Sequence, residues 1–428
     1  MEFYESTVAG AEPGPATARA IDALNIDRSR RVWLLAFGKA ARPMAQAAVT
    51  SLLRSLHQIA GGVVVSSDNT PSPYPTLVAM RGDHPIPGRN SFAAANKIGE
   101  ITSGRRGNDI ALVLISGGAT SLIAAPLRGM NEADLSMLYE ILLGSGLDIA
   151  SMNAVRKRFS RWGAGRLALA LAPATTHCLA ISDVADDDLA AIGSGPCVPD
   201  SANVEDVMTI LKRANLLTRI PQTHRDYLAA VGRGAIPDTP NKSHPAFAHV
   251  TARVIGNNAL AVEAAAASAN ANGFSTQVNS ARLSGEASRI GEQIANSLIG
   301  ARAAGANNKC FVWGGETAVT LSGSSAHTGG GRCQELALAA ARVLARAGDA
   351  AAGITLLAAG TDGRDGATDA AGAIVDASTW SAIAASGRDP AQALASHESN
   401  GALRACGALI PRRETGTNVN DVVIGLVS

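Results

Sequence analysis

The feature that most constrains the fold is a set of short stretches with no polar interruption: 31–37 (RVWLLAF), 61–66 (GGVVVS), 110–115 (IALVLI) and 176–182 (THCLAIS). A strand that is apolar along its continuous middle, with polar residues only at its ends, rather than at every second position, has no side left for water. It belongs inside a parallel sheet covered on both faces. Ala- and Leu-rich helical segments separate these runs, so the chain reads as α/β with strand–turn–helix alternation. Each run stops at glycines or polar residues, and sheets of this kind hold ligands at the carboxyl ends of their strands.

A length of 428 residues predicts two or three domains, and 46% hydrophobic against 17% charged residues supplies sizeable cores. With aromatics at 4%, those cores must be built from Ala, Val, Leu and Ile, which suits close helix-on-sheet packing. Lys and Arg number 37 against 36 Asp and Glu, a net of +1, which excludes general attraction to nucleic acid or an anionic membrane. Only six of the basic residues are lysines, so a lysine inside a Gly-rich segment stands out. Five scattered cysteines without CxxC spacing argue against disulfides or structural zinc. No signal peptide is visible, and the Ala-rich run 259–271 is too short and interrupted to span a bilayer, so a cytoplasmic protein is expected. Further strands are expected at 248–255, 309–313, 319–321 and 354–358, with helices at 258–272 and 334–347. The stretch 234–243 (GAIPDTPNKS) reads as an inter-domain linker, giving domains 1–240 and 245–428 with a cleft between them.

Several strand ends carry candidate chemistry. Lys39 follows the first apolar run and precedes a helix, where free N–H groups favour anions and an ammonium adds a mobile charge for phosphate. Ser116, Gly117 and Gly118 open SGGATS, whose backbone and hydroxyls could cradle an oxyanion. Asp183 ends the fourth run and could hold a cation or accept a hydroxyl proton, whereas Asp186–Asp188 read as a solvated turn or helix cap. In the second half, Glu316 ends a strand, Gly330, Gly331 and Arg332 enter a helix, and Asp362 lies in GTDGRDG. The placement of Arg332 suits an anion at the helix N-terminus. His84 in GDHPIPG reads as a structural loop histidine, and Cys333 as a small filler.

Read together, GKAARPMA (38–45), GDHPIPG (82–88), LISGGATSL (114–122), NAVRKRFS (153–160), ISDVADDDLAAIGSGPCVPD (181–200), GGETAVTLSG (314–323), GGGRCQELALAAA (329–341), GTDGRDGATDAAGAIVD (360–376) and TGTNVND (415–421) resemble the glycerate 2-kinase family, the class II or MOFRL-type glycerate kinases, some of them labelled hydroxypyruvate reductases. The resemblance implies a Rossmann-like parallel-sheet N-terminal domain, a smaller α/β MOFRL domain and an active site in the cleft between them. It implies a kinase using ATP and Mg²⁺ to phosphorylate the 2-hydroxyl of D-glycerate, with no nucleic-acid or membrane partner and with a homodimer left open. Lys39, Arg332, Asp183 and Asp362 become the expected catalytic residues, with Asp183 and Asp362 also on the metal. Ser116, Gly117, Gly118, Glu316, Gly330 and Gly331 are expected at the nucleotide, and Arg156 and Asn153 at the substrate. Asn418, Asn420 and Asp421 sit in a matching motif without an assigned role. The chain departs from the family in SGGATSL for SGGGSAL, Cys333 for an amide, and RKRFSRWGAG for RKHLSRIKGG. The acceptor therefore stays open to another small hydroxy acid, a four-carbon aldonate or hydroxypyruvate. An NAD(P)-dependent hydroxypyruvate reductase is the rival class, although GKAARPMA lacks the GxGxxG that it needs.

Overall fold

The computed structural model describes residues 1–69, 71–104, 106–184, 186–321 and 329–428. They form two compact units, the first Pro13–Gly256, the second Met1–Glu12 together with Asn257–Ser428.

The first unit is built on strands β1 (Val32–Phe37), β2 (Ile59–Ser66), β3 (Leu77–Arg81), β4 (Ile110–Ile115), β5 (Thr175–Ile181) and β6 (Val250–Gly256). All neighbours are parallel and the order is β3-β2-β1-β4-β5-β6, the Rossmann-type order. Every residue of β4 is buried, as its unbroken apolar run requires. The chain steps outward from β1 to β3, then returns through the helix Arg89–Gly104 to lay β4 on the other side of β1. That reversal makes the carboxyl ends of β1 and β4 the switch point where such sheets bind ligands. Phe37 pairs with Ile115, so the turns that follow the two strands start level.

The expected linker is part of this unit. Asp238 accepts the Val204 N–H at 3.0 Å and forms an ion pair with Arg158, whose Nη1 also donates to Thr239 Oγ1 at 3.0 Å. A buried guanidinium thus staples a Pro- and Gly-rich stretch that composition alone marks as free. The boundary falls instead after β6, which pairs with β5 from Thr176↔Val250 onward, although 248–255 was expected in the second domain.

The second unit holds β7 (Ser275–Val278), β8 (Lys309–Gly315), β9 (Ile354–Gly360), β10 (Ala370–Asp376), β11 (Leu409–Pro411) and β12 (Asp421–Val427), ordered β11-β10-β9-β12-β8-β7. This sheet is mixed: only β7 and β8 pair in parallel, and β12 runs antiparallel between β8 and β9. No strand forms at 319–321, where Ala318 makes an isolated bridge to Glu286; the neighbouring 322–328 lie outside the described residues. The helix Glu2–Gly10 belongs to this unit, because Tyr4 is fully buried there and donates its hydroxyl to Gly360 O at 2.7 Å.

Scarce aromatics leave small side chains to set the packing. In the helix Arg332–Ala347, Ala337, Ala339, Ala340 and Ala341 are all buried, and the helix Ala287–Ala303 lies against it. There a Cβ on Gly291 would fall 2.1 Å from Leu336 O, so the two backbones touch. No helix of the described residues is long and apolar enough to cross a membrane.

Replacing Gly291 by Val should force these helices apart, cost about 1–3 kcal/mol and lower the midpoint of thermal unfolding. Gly300, on the same helix, has nothing within 4 Å of the place a Cβ would take. Gly300→Ala should leave the midpoint unchanged or raise it, by about 0.5–1 kcal/mol of helix propensity.

Candidate active site

In the first unit the turns after β1 and β4 are locked into one another. Gly38 has φ +119°, and a Cβ there would sit 2.2 Å from Ser116 Oγ, so only glycine lets the turns approach this closely. The Lys39 N–H donates to Gly117 O at 2.9 Å, and the Ala40 N–H donates to Ser116 Oγ at 2.9 Å. Ser116 is therefore committed to building the turn. Gly118, with φ +84°, exposes its backbone beside the Lys39 side chain, whose Cγ lies 3.5 Å from where a Cβ would stand. Asp183 follows β5 by two residues, and its Oδ2 lies 1.9 Å from the position of a Cβ on Gly117, so its carboxylate rests on the same turn.

His84 joins this cluster. Gly82 packs on Leu122, with a Cβ position 2.5 Å from Leu122 O, and this close approach carries the loop after β3 onto the SGGATSL segment. The Asp83 carboxylate accepts from the Asn90 N–H at 2.9 Å and from Asn90 Nδ2 at 2.8 Å, fixing the loop to the start of the helix Arg89–Gly104. The ring edge of His84 then faces Gly118, with Cδ2 3.4 Å and Nε2 3.6 Å from the Cβ position. Burial, then the charges of Lys39 and Arg156, hold the imidazole below its ordinary value.

The helix Ile149–Phe159 presents three consecutive basic residues with different fates. Lys157 pairs with buried Asp200 at 2.6 Å, and Arg158 pairs with Asp238. Arg156 is 7% exposed, lies over the Tyr139 ring at 4.8 Å, and keeps Nε and Nη2 buried with no hydrogen-bond partner among the described residues. Such an orphaned cation is costly unless an anion completes it. Tyr139 Oη in turn donates to Thr120 O at 3.5 Å, tying this arginine to the turn after β4. Asn153 is half-buried one helical turn before Arg156, hence on the same face. Lys39 and His84 thus meet at Gly118 and Asp183 rests on Gly117, while Arg156 is joined to the same segment through Tyr139 and Thr120.

The second unit has its own polar locus, made because β12 starts where β8 and β9 end: Asp421 is level with Gly315 and Gly360. Arg332 donates Nε to Asp421 Oδ2 at 2.5 Å and Nη2 to Asp421 Oδ1 at 2.9 Å, and its Nη1 lies 2.8 Å from Glu316 Oε1. Burial alone would lower this guanidinium, but Asp421 and Glu316 outweigh it and hold it above its ordinary value. Asn420 donates to Glu316 Oε2 at 3.2 Å. Arg332, expected from the sequence to stabilise phosphate, is therefore held by two carboxylates. The expected anion at the helix N-terminus is also internal: Asp365 accepts from the Cys333 and Gln334 N–H groups at 3.0 and 2.8 Å, which explains why Gly331 has no room for a Cβ. Gly330 and Gly331 line, with Glu316, Arg332, Glu335 and His397, a cavity of about 380 Å³. Asp362 turns Oδ1 to the Arg364 N–H at 3.0 Å.

Lys39 and Asp183, candidates from the sequence, lie at the joined turns with His84, which the sequence presents as a structural loop residue. Tyr139, which links Arg156 to this segment, carries no local signal, being a tyrosine at a core position of a helix. Two departures from the family pattern lie away from this pocket. Trp162 is buried and donates Nε1 to Ala95 O at 3.0 Å, and Arg158 serves the Asp238 pair.

A family model described as Domain of unknown function (DUF4147) matches residues 1–229, and the model of the MOFRL family matches 309–421. The chain is 35% identical to the D-glycerate 2-kinase of Thermotoga maritima, covering 100% of this chain and 97% of that one. It is 34% identical to the glycerate 2-kinase of Pyrococcus horikoshii, covering 93% and 88%. Against the crystal structure of a glycerate kinase from Thermotoga maritima the TM-score is 0.87 at 34% identity, covering 100% and 98%.

The contrast between neighbouring cations is measurable as stability. Lys157→Met leaves the buried Asp200 with only the longer pair to Arg158 at 3.7 Å and should cost about 2–3 kcal/mol in urea unfolding. Arg156→Met removes an unpaired buried charge and should leave stability level or raise it by about 0.5–2 kcal/mol, the pattern of a residue kept for function.

Proposed function

Because the chain belongs to the glycerate kinase family that joins a DUF4147 half to a MOFRL half, we propose that it is a D-glycerate 2-kinase whose first-unit pocket holds the acceptor. ATP-dependent phosphorylation of glycerate is its activity; the 2-hydroxyl as acceptor, Mg²⁺ and the residue roles below are the finer reading. The observation that supports it is buried Arg156, whose Nε and Nη2 have no hydrogen-bond partner among the described residues and which is joined through Tyr139 and Thr120 to the turn that Lys39 lines. A hydroxy acid receiving a phosphoryl group needs one cation for its carboxylate and another for the migrating charge.

Arg156 takes the carboxylate in a fixed planar fork, with Asn153 on the same helix face beside it. The 2-hydroxyl is borne on the carbon next to that carboxylate, so gripping the carboxylate fixes its direction. The 3-hydroxyl is one rotatable bond further out and stays free to swing. Lys39 stabilises the transferring oxygens, and the Gly117–Gly118 backbone allows the phosphoryl group close approach. Catalysis of this transfer is positioning plus electrostatics, which a locked pair of turns supplies without rearrangement.

Mg²⁺ fits this pocket only as a companion of ATP. Among the described residues no three His, Cys, Asp or Glu side chains gather into a metal cage. Mg²⁺ commonly keeps its waters and binds phosphates with one or two carboxylates. Asp183, on the Gly117 turn, is the carboxylate suited to it, with Asp362 the second candidate; when bound, the ion neutralises charge on the phosphates. In the second unit, Arg332 is oriented by Asp421 and Glu316 beside the cavity that Gly330 and Gly331 line. That cavity is the proposed place for part of the nucleotide, with Arg332 its cation.

The test is ADP formation with ATP and a panel of D-glycerate, a four-carbon aldonate and hydroxypyruvate, with phosphorus NMR of the product and an NADH-oxidation assay alongside. D-glycerate should be the preferred acceptor and 2-phosphoglycerate the product. A 3-phosphoglycerate signal would overturn the regiochemistry, and preference for the longer acid would overturn the substrate. Lys39→Met should lower kcat by on the order of 10³-fold. Arg156→Met should raise the KM for glycerate about tenfold to hundredfold, the worth of a charged hydrogen bond.

A further inference from the structure

His84 is positioned with more care than a structural loop residue needs. Its loop is clamped from both sides, by Gly82 against Leu122 and by Asp83 against Asn90 and Ser91. The other histidines whose contacts are defined turn a ring nitrogen to their own surroundings: His57 to Ile26 O, His177 to Thr251, His224 to Thr223, His244 to the Ala246 N–H and His397 to Glu335. The Cδ2–Nε2 edge of His84 instead faces the Gly118 backbone, at the spot that the Lys39 side chain also lines. Arg156, the proposed carboxylate anchor, is the second cation after Lys39 whose charge bears on the ring. An acceptor held by Arg156 and presenting its neighbouring hydroxyl toward Lys39 meets this ring edge between them.

We propose that His84 is a catalytic residue of the reaction, its Nε2 taking the proton from the acceptor hydroxyl as that oxygen attacks the γ-phosphorus of ATP. The inference rests on the kinase reading above. The acceptor O–H bond breaks and its proton passes to Nε2. The hydroxyl oxygen forms the new O–P bond, and the bond from γ-phosphorus to the bridging oxygen breaks, its electron pair leaving with ADP. The imidazolium later returns its proton to solvent.

The charges around the ring make this base conditional. In the free protein, burial and the two neighbouring cations keep the imidazole neutral at neutral pH, the form able to accept a proton, but they also weaken it as a base. The acceptor carboxylate offsets Arg156 and the phosphoryl oxygens offset Lys39. Proton affinity thus rises when both substrates are present, when transfer is wanted. The neighbouring Asp83 carboxylate is turned to the Asn90 N–H and amide, at the start of the helix Arg89–Gly104.

The experiment uses the full chain. Wild type, His84→Ala and His84→Asn are compared for ATP-dependent turnover of D-glycerate over a range of pH, and the His84 ring is followed by NMR titration of wild type. Expected is a fall in kcat of about 10²-fold or more in both variants, as for loss of a general base, with the KM for ATP little changed. Added imidazole should partly rescue His84→Ala, and the acid limb of the wild-type kcat profile should be missing from both variants. In wild type the ring should titrate below 6.5 alone and higher once D-glycerate is added, a readout that needs no variant to fold. His84→Asn turning over like wild type, or a ring titration indifferent to D-glycerate, would overturn the proposal while leaving the kinase reading intact. Wild type that makes no ADP with any hydroxy acid would instead end the kinase reading, and this inference with it.

Discussion

Two hydrogen bonds lock together the turns after β1 and β4, on which the candidate site is built: Lys39 N–H to Gly117 O and Ala40 N–H to Ser116 Oγ. They form only because the sheet order reverses between these strands and because Gly38 leaves no Cβ in the way. Everything else in the pocket is referred to this joint. Asp183 rests on Gly117, His84 faces Gly118, and Arg156 is linked to the same segment through Tyr139 and Thr120. The joint places a lysine and a glycine turn side by side at a rigid strand end, and rigidity at that point is what electrostatic catalysis requires.

The run Arg156–Lys157–Arg158 shows how burial sorts like residues into unlike roles. Desolvation penalises each charge, so each is costly without a compensating partner. Asp200 and Asp238 meet two of them, and in doing so fasten the loops 196–200 and 234–243 to the helix. The third has only an aromatic face, which offsets part of the cost and leaves the guanidinium's hydrogen-bonding capacity for a ligand. In the second unit the opposite choice prevails: Arg332 and the helix N-terminus behind it are both satisfied internally, by Asp421, Glu316 and Asp365.

The first sheet was legible because RVWLLAF and IALVLI admit no reading but a strand covered on both faces, and Lys39 was legible because a lone lysine followed one of them. The limits have physical causes. The stretch 234–243 has the composition of a linker, and the partner that pins it, Arg158, lies far away in sequence. The GGGR segment signals an anion at a helix start, but nothing local says that the anion is the chain's own Asp365. His84 looks ordinary because its neighbours at the site, Gly118 and the Lys39 side chain, are far away in sequence and only the crossover connections bring them to it. Strand β12 went unread because its apolar run sits beyond the TNVND motif, and antiparallel insertion between β8 and β9 has no signature in the run itself.

The helix Glu2–Gly10 has a consequence for biosynthesis. Its Tyr4 finds its burial against Gly360, and its flank lies on the helix Asn258–Ala271. On a ribosome adding about 5–20 residues per second, that amphiphilic segment waits tens of seconds before its docking surface exists. The Rossmann-type unit is completed meanwhile, and the discontinuous unit closes only by capturing a segment made at the outset. A nascent chain stalled midway would present the tyrosine and valine of that segment to whatever chaperone tends the exit tunnel.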